Sequence, residues 1–280
     1  MTGAATGYEV SYWRENCVCA RLRAPVRLRT LAVIPARLGA TRLPRKPLRT
    51  LAGVPLIIRV LERVTALRVA DRVVVATDSE DIAERVRAAG GEAMLTSSAH
   101  PSGTDRIAEV VRDERFAAFD AVLNVQGDEP FVSAAAVRAA LELVTSGRFP
   151  LGTCAVRAAP AVLARPDVVK VVTADDGAAM YFSRAPIPFL RDASDRSEQD
   201  GRVLQHLGVY AYTRDALARW VSLPTHPYER TERLEQLRPL AAGIRMGVGV
   251  VTGTVRGGID TEADLERANN EWTTFTGIES

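Results

Sequence analysis

The sequence predicts an α/β protein: a mostly parallel sheet covered by helices on both faces, with a mixed region in its second half. Three observations predict it. Short β-branched runs alternate with amphipathic helical stretches from Thr30 onward. Those runs are apolar along their length, as strands buried on both faces are. In the second half the alternation loses its regularity, and VLQHLGVYAY alternates in polarity as an antiparallel strand does.

TLAVIPA opens the series, a β-branched run that ends abruptly in a loop. PLIIRVLERVTAL follows, with Pro55 at a helix start and Leu56, Val60, Leu61 and Val64 on one face. DRVVVAT is a second buried strand. Ser79 then caps a helix to about Ala89, closed by Gly90-Gly91. EAML is a third strand, and Ser102 or Thr104 begins the helix TDRIAEVVRDE. DAVLNVQ is a fourth strand, followed by a polar loop and a helix from about Ser133. Four strand–helix units in series give a sheet whose ligand crevice lies at the carboxyl ends of its strands.

Beyond them LGTCAVRA, VVKVVTA and VLQHLGVYAY are read as strands, and TRDALARWVSL and ERTERLEQLRPLAA as helices. IRMGVGVVTGTV is the final strand, leading through Gly257-Gly258 to the helix IDTEADLERANN. RDASDRSEQDGR is charged enough to be read as a disordered loop. Residues 1–29 are read as a disordered extension, or as the product of a start codon placed too far upstream. Residues 30–280 form the domain, with an excursion around 150–240.

Composition narrows the function. A formal net charge of +2 on 280 residues gives no basic field, so a nucleic-acid partner is not expected and any anion site must be local. No apolar run approaches the roughly 18–20 residues of a membrane span. Cys17, Cys19 and Cys154 make neither an even disulfide framework nor a zinc ribbon, and are read as free thiols in a reducing compartment. A cytoplasmic location is the expectation.

The loop after the first strand, ARLGATRLPRKPL, concentrates Arg37, Arg42, Arg45 and Lys46. Beginning at Pro35-Ala36-Arg37, it suits a triphosphate: backbone N–H groups can form a nest and the cations neutralise charge. It is neither a Walker loop nor a dinucleotide GxGxxG, and from composition alone a solvated basic surface loop remains open. Two carboxylates sit at other strand ends. Asp128 follows the fourth strand in NVQGDEP, where Gly127 lets the backbone turn, and Asp260 follows the last strand in RGGIDT. Opposite a cationic loop they could hold Mg²⁺ against phosphates, although Asp260 could equally cap the helix after it.

The ordered series IPARxxxTRLPxKPL, VVVATD, SGTDR, NVQGDEP, VKVV, YFSR, HLGVYAY, LEQLR and GIDTEADLE resembles the 3-deoxy-manno-octulosonate (KDO) cytidylyltransferases, from about Leu31 to Asn270. The resemblance implies a Rossmann-like nucleotidyltransferase fold of three layers, a homodimer, a Mg²⁺ cofactor, and CMP transfer from CTP to a small acidic acceptor. It implies that Arg37 and Lys46 hold the CTP phosphates and that Ala76, Thr77, Ser102, Gly103 and Arg106 surround cytosine and ribose. Asp128 and Asp260 would bind the metal. Gln126 would contact both CTP and the acceptor, and Arg184, His206, Tyr210, Glu235 and Gln236 would bind the acceptor within the excursion that also carries the dimer contact.

Three positions depart from the family's pattern. Arg45 replaces a glycine in LPGKPL, Arg157 a proline after TCAV, and Arg256 part of a PGTG-like turn. Each adds a cation. They raise the alternative of the same CTP chemistry on a smaller, more charged acid such as a carboxylated phosphonate, since arginine grips such groups bidentately. A dinucleotide-dependent oxidoreductase is disfavoured by the missing glycine fingerprint. A catalytically dead nucleotide binder is disfavoured by intact Lys46, Asp128 and Asp260.

Overall fold

A computed structural model describes residues 28–39, 42–191, 202–253 and 256–275. The expectations for the N-terminal extension, Cys17, Cys19 and most of RDASDRSEQDGR lie outside the described residues. The chain begins with β1 (Thr30–Ala36), whose seven residues are all buried. After a loop come a single 3-10 turn at Lys46–Leu48 and a two-strand ribbon, β2 (Thr50–Leu51) and β3 (Val54–Pro55). Ala52 and Gly53 make the ribbon's turn with positive φ of 48° and 76°. This ribbon was not legible in the sequence.

The expected strand–helix units follow. They are α1 (Leu56–Ala66), β4 (Arg72–Thr77), α2 (Glu80–Ala88), β5 (Glu92–Leu95), α3 (Gly103–Arg112), β6 (Ala121–Asn124) and α4 (Ala134–Thr145). Ser102 and Ser133 cap α3 and α4, their hydroxyls accepting from the Asp105 and Ala136 N–H groups. Then come β7 (Leu151–Arg157), β8 (Lys170–Thr173), β9 (Ala179–Ser183), β10 (Leu204–Thr213) and α5 (Arg214–Ser222). The single helix expected over ERTERLEQLRPLAA is instead two, α6 (Pro227–Glu232) and α7 (Leu237–Ala241). The break falls at Arg233, which is left-handed at φ 57°. The chain ends with β11 (Met246–Val251) and α8 (Glu262–Trp272).

The main sheet runs β11-β7-β10-β6-β1-β4-β5, with β8 paired to β10 and β9 to β8. β1 is parallel to β4 and β6, and β11 to β7, whereas β10 runs antiparallel to both β6 and β7. β8 runs antiparallel to both β10 and β9, so two strands, β9 and β10, oppose the rest and make the sheet mixed, as the alternation in VLQHLGVYAY predicted for β10. Because β10 is reversed between β6 and β7, the carboxyl ends of those two strands and of β1 share one edge. One face packs against α1, α2, α4 and α8, the other against α3, α5 and α7. No described helix is long and apolar enough to cross a membrane.

Candidate functional site

The sheet order decides where a ligand can bind. β1 has β4 on one side and β6 on the other, so the chain leaves its neighbours in opposite directions and a crevice opens at their carboxyl ends. A cleft of about 390 Å³ lies there. Its walls carry Pro35, Ala36, Arg37, Gly39, Arg42 and Lys46 from the β1 loop; His100, Ser102, Gly103 and Arg106 from the start of α3; Gln126, Gly127 and Asp128 after β6; and Asp260 before α8.

The close approach of two loops builds its floor. A Cβ on Gly127 would lie 2.7 Å from the Pro35 carbonyl oxygen, so only glycine lets the β6 loop lie against the end of β1. Its φ is not positive, so the close approach, and not a left-handed turn, is what requires glycine here. The Ile259 N–H donates to the Asp128 carbonyl at 3.0 Å and brings Asp260 alongside. Thr261, not Asp260, caps α8, through a capping box with Asp264. The Asp260 carboxylate is thereby left to face the cleft.

At the centre, the Lys46 ammonium donates to Asp128 Oδ2 in a short contact and to Asp260 Oδ1 at 2.9 Å. Arg42 reaches the other oxygen of Asp260 at 3.0 Å. Burial works against the ammonium, but the two carboxylates outweigh it and hold Lys46 above its ordinary pKa. Arg37 is exposed on the wall and makes no ion pair with a described residue. Beside this centre, burial and the charges of Asp128 and Asp260 push the Glu129 carboxyl up to about 8, against the pull of Lys46.

The far end of the cleft is the N-terminus of α3. Ser102 caps it, Gly103 rests against Pro35, and Arg106 is held by Asp78 at 3.0 Å and by Thr96. His100 pairs with Glu109. Ala76 and Thr77, expected around the base, are fully buried and absent from the cleft wall. Thr77 instead ties the end of β4 to Ser79 and Thr96.

The residues expected to bind the acceptor are less gathered. Gln126 lines the cleft and donates to Asn124, which donates to the Tyr212 hydroxyl. Glu235 accepts from Thr104 on α3 at 2.9 Å, while its other oxygen is buried without a hydrogen-bond partner. Burial, opposed by the hydrogen bond from Thr104, raises the Glu235 pKa. Tyr210 and Gln236 are buried close to the sheet and to α7. His206 meets Thr153 at 2.9 Å and packs its ring on Phe182 and Tyr210. It also borders a second cleft of about 250 Å³, between β10, β11 and α4, that Glu129 and Arg256 share. Arg184 is bound to the Glu232 and Pro166 carbonyl oxygens and lines neither cleft.

None of the three departing arginines lines the first cleft. Arg45 pairs with Asp81 on α2 at 2.9 Å. Arg256 stacks over Phe131 and Phe275 and pairs with Glu271 at 3.5 Å. Arg157 ends β7 as an exposed residue. Of the ionisable side chains on the wall, two were assigned no role from the sequence: Arg42, visible only as one member of a charge run, and His100, which carried no signal.

The donor set suits a hard divalent cation. Two carboxylates turn oxygens toward one point that a positive charge already occupies, and Mg²⁺ is commonly held by one or two carboxylates together with substrate phosphates. Among the described residues no cluster of three or more His, Cys, Asp or Glu could hold a metal. The protein therefore offers a two-carboxylate site that a phosphate ligand would complete.

Comparison with known proteins points to one family. The family profile described as cytidylyltransferase matches residues 31–246. The chain is 60% identical over 242 residues to the 3-deoxy-manno-octulosonate cytidylyltransferase of Gemmatimonas aurantiaca, covering 86% of this chain and 93% of that one. It is 42% identical over 240 residues to the protein of that name from Yersinia pseudotuberculosis, covering 85% and 96%. A solved CMP:2-keto-3-deoxy-manno-octonic acid synthetase complexed with CTP superposes with a TM-score of 0.80 at 39% identity, covering 88% of this chain and 99% of that one. The inositol-1-phosphate CTP transferase of T. maritima shares the fold alone, with a TM-score of 0.61 at 14% identity, covering 90% and 99%.

Proposed function

The chain belongs to the 3-deoxy-manno-octulosonate cytidylyltransferase family, and on that premise we propose that its first cleft binds CTP and transfers CMP to 3-deoxy-manno-octulosonate (KDO). One observation carries the reading: the cations of the β1 loop face Asp128 and Asp260 across a single cleft at the sheet's crevice. An acceptor hydroxyl oxygen attacks the α-phosphorus of CTP in line. The bond from that phosphorus to the bridging oxygen breaks, pyrophosphate leaves, and the hydroxyl proton passes to solvent. Positioning and charge neutralisation supply most of the rate.

Arg37 and Lys46 bind the β- and γ-phosphates and take up the charge that grows on pyrophosphate. The N-terminus of α3, with Ser102, Gly103 and Arg106, receives the nucleoside. Gln126 stands between nucleotide and acceptor. Asp128 and Asp260 would hold Mg²⁺, which when bound would supply positive charge to the α-phosphate and acidity to the acceptor hydroxyl. Tyr210, His206, Glu235, Gln236 and Arg184 are assigned to the acceptor; of these His206 borders the second cleft, and the buried, unpartnered oxygen of Glu235 would accept from a sugar hydroxyl once the wall before it moves.

The same reading includes a homodimer working in the cytoplasm, where nucleoside triphosphates are at hand. Met180, Phe189 and Tyr228 are 64%, 80% and 56% exposed, a cost a second copy would relieve by covering them. CTP-dependent pyrophosphate release against a panel of acids tests the chemistry. KDO should turn over about 100-fold faster than a carboxylated phosphonate. Equal or faster turnover of the phosphonate would reassign the acceptor, and no release with any acid would remove the reaction.

A further inference from the structure

We infer that Lys46 is the resident counter-ion of the Asp128–Asp260 pair, so that divalent metal and nucleotide must bind cooperatively. The inference rests on the reading just given and adds to it a role for Lys46 before any substrate arrives. Both carboxylates are neutralised by cations of the protein itself. Lys46 contacts one oxygen of each, and Arg42 takes the second oxygen of Asp260. Two negative charges thus face two positive ones.

The Lys46 side chain is only 17% exposed and that of Asp128 25%, so water screens their contact poorly. A divalent cation cannot share those oxygens with an ammonium at hydrogen-bond distance, because like charges would then meet in a poorly screened place. Metal alone must therefore expel Lys46 into a cleft whose other walls carry Arg37, Arg42 and Arg106. A triphosphate changes that balance. It gives the ammonium a new anionic partner a few bonds away and frees the carboxylates for the metal it brings. By linkage, each ligand tightens the other by the same factor.

The 3-10 turn at Lys46–Leu48 makes the exchange local. Lys46 opens it, Pro47 is buried behind it, and the Arg49 N–H closes it on the Lys46 carbonyl at 3.1 Å. The backbone is anchored while the four-carbon stem of the lysine can swing. Arg42, whose side chain is 68% exposed, gives up Asp260 at little cost and acts as the lesser partner.

Mn²⁺ binding to the full chain, followed by electron paramagnetic resonance, tests this without turnover. It is measured with and without α,β-methylene-CTP, which cannot be cleaved at the reacting bond. The wild-type protein should bind Mn²⁺ weakly alone and about tenfold more tightly with saturating analogue. Lys46→Met should tighten nucleotide-free Mn²⁺ binding by about tenfold and shrink the enhancement by nucleotide. Lys46→Arg should keep the wild-type weakness. Should Lys46→Met fail to fold, Arg42→Gln should shift nucleotide-free binding in the same direction by a smaller factor. If Asp128→Asn abolishes Mn²⁺ binding while Lys46→Met and Arg42→Gln bind it no more tightly than wild type, the counter-ion role is overturned and the metal site stands. If Mn²⁺ binding survives Asp128→Asn, the metal site falls and the counter-ion role with it.

Discussion

Arg45 holds a left-handed backbone, with φ 56° and ψ 30°, at the residue before the 3-10 turn that carries Lys46. Such a conformation costs an L-residue about 1–2 kcal/mol, a cost that glycine would not bear. The Asp81 ion pair is exposed and returns at most about 1 kcal/mol. Arg45→Gly relieves the strain but loses that pair and frees the unfolded chain, by about 0.4–1 kcal/mol. These terms nearly cancel, so its stability should stay within about 1 kcal/mol of wild type, whereas Arg45→Ile should lose about 2 kcal/mol. Urea unfolding of the two variants checks this, and equal stabilities would contradict a left-handed Arg45. The substitution that looked in sequence like a new pocket cation is a backbone matter on the loop's outer side.

The break between α6 and α7 shows how one element is decided by a few contacts. ERTERLEQLRPLAA has helical composition and reads as one helix. In the fold Arg233 turns left-handed and the chain doubles back, so that Arg238 on α7 meets Glu229 on α6 in two bonds, one of 2.8 Å. Both side chains are buried, and Glu229 also accepts the His226 N–H that opens α6. Removing one partner of such a pair leaves a buried charge unmatched. Glu229→Ala should therefore cost about 3–5 kcal/mol, and the Glu229→Met, Arg238→Met double variant should cost less than that single change. Chemical denaturation of both separates the two values; a double variant worse than Glu229→Ala would show that the pair itself holds the turn. The break also sets Glu235 against Thr104 on α3, which an unbroken helix need not do.

For the molecule as a whole, the reversed strand β10 joins the half that holds the loops of the first cleft to the half that holds the excursion. It carries His206, whose ring lies among Phe182, Tyr210 and Thr153. Burial pushes that imidazole down to about 3. Between about 6.5 and about 3, therefore, the unfolded chain takes up a proton that the folded chain refuses. The contribution is complete above about pH 6.5 and is lost as pH falls, by up to about 1.4 kcal/mol per unit. His206→Gln should flatten the fall in unfolding free energy between about pH 6 and about pH 4, by up to one proton. Parallel profiles for variant and wild type would mean that His206 is not protected from protonation in the folded protein.

By itself the sequence determined the strand–helix series from Thr30 to α4, the cationic loop after β1, and both candidate metal carboxylates. Each is a local pattern: a buried run, a cap, a glycine beside an acid. The reaction class followed from the ordered motifs. Only the tertiary structure decided which of these residues meet. It set β6 beside β1, and so laid Gly127 on Pro35 and Asp128 against Lys46 across 82 positions of chain. It closed Asp260 onto the same lysine from 214 positions away, and left the helix cap to Thr261. It gave Arg45 and Arg256 partners outside the nucleotide cleft, and buried Ala76 and Thr77 behind it. The physical reason is range: hydrogen-bonded periodicity is written in neighbouring residues, whereas charge pairing and burial depend on strand order, which no short segment encodes.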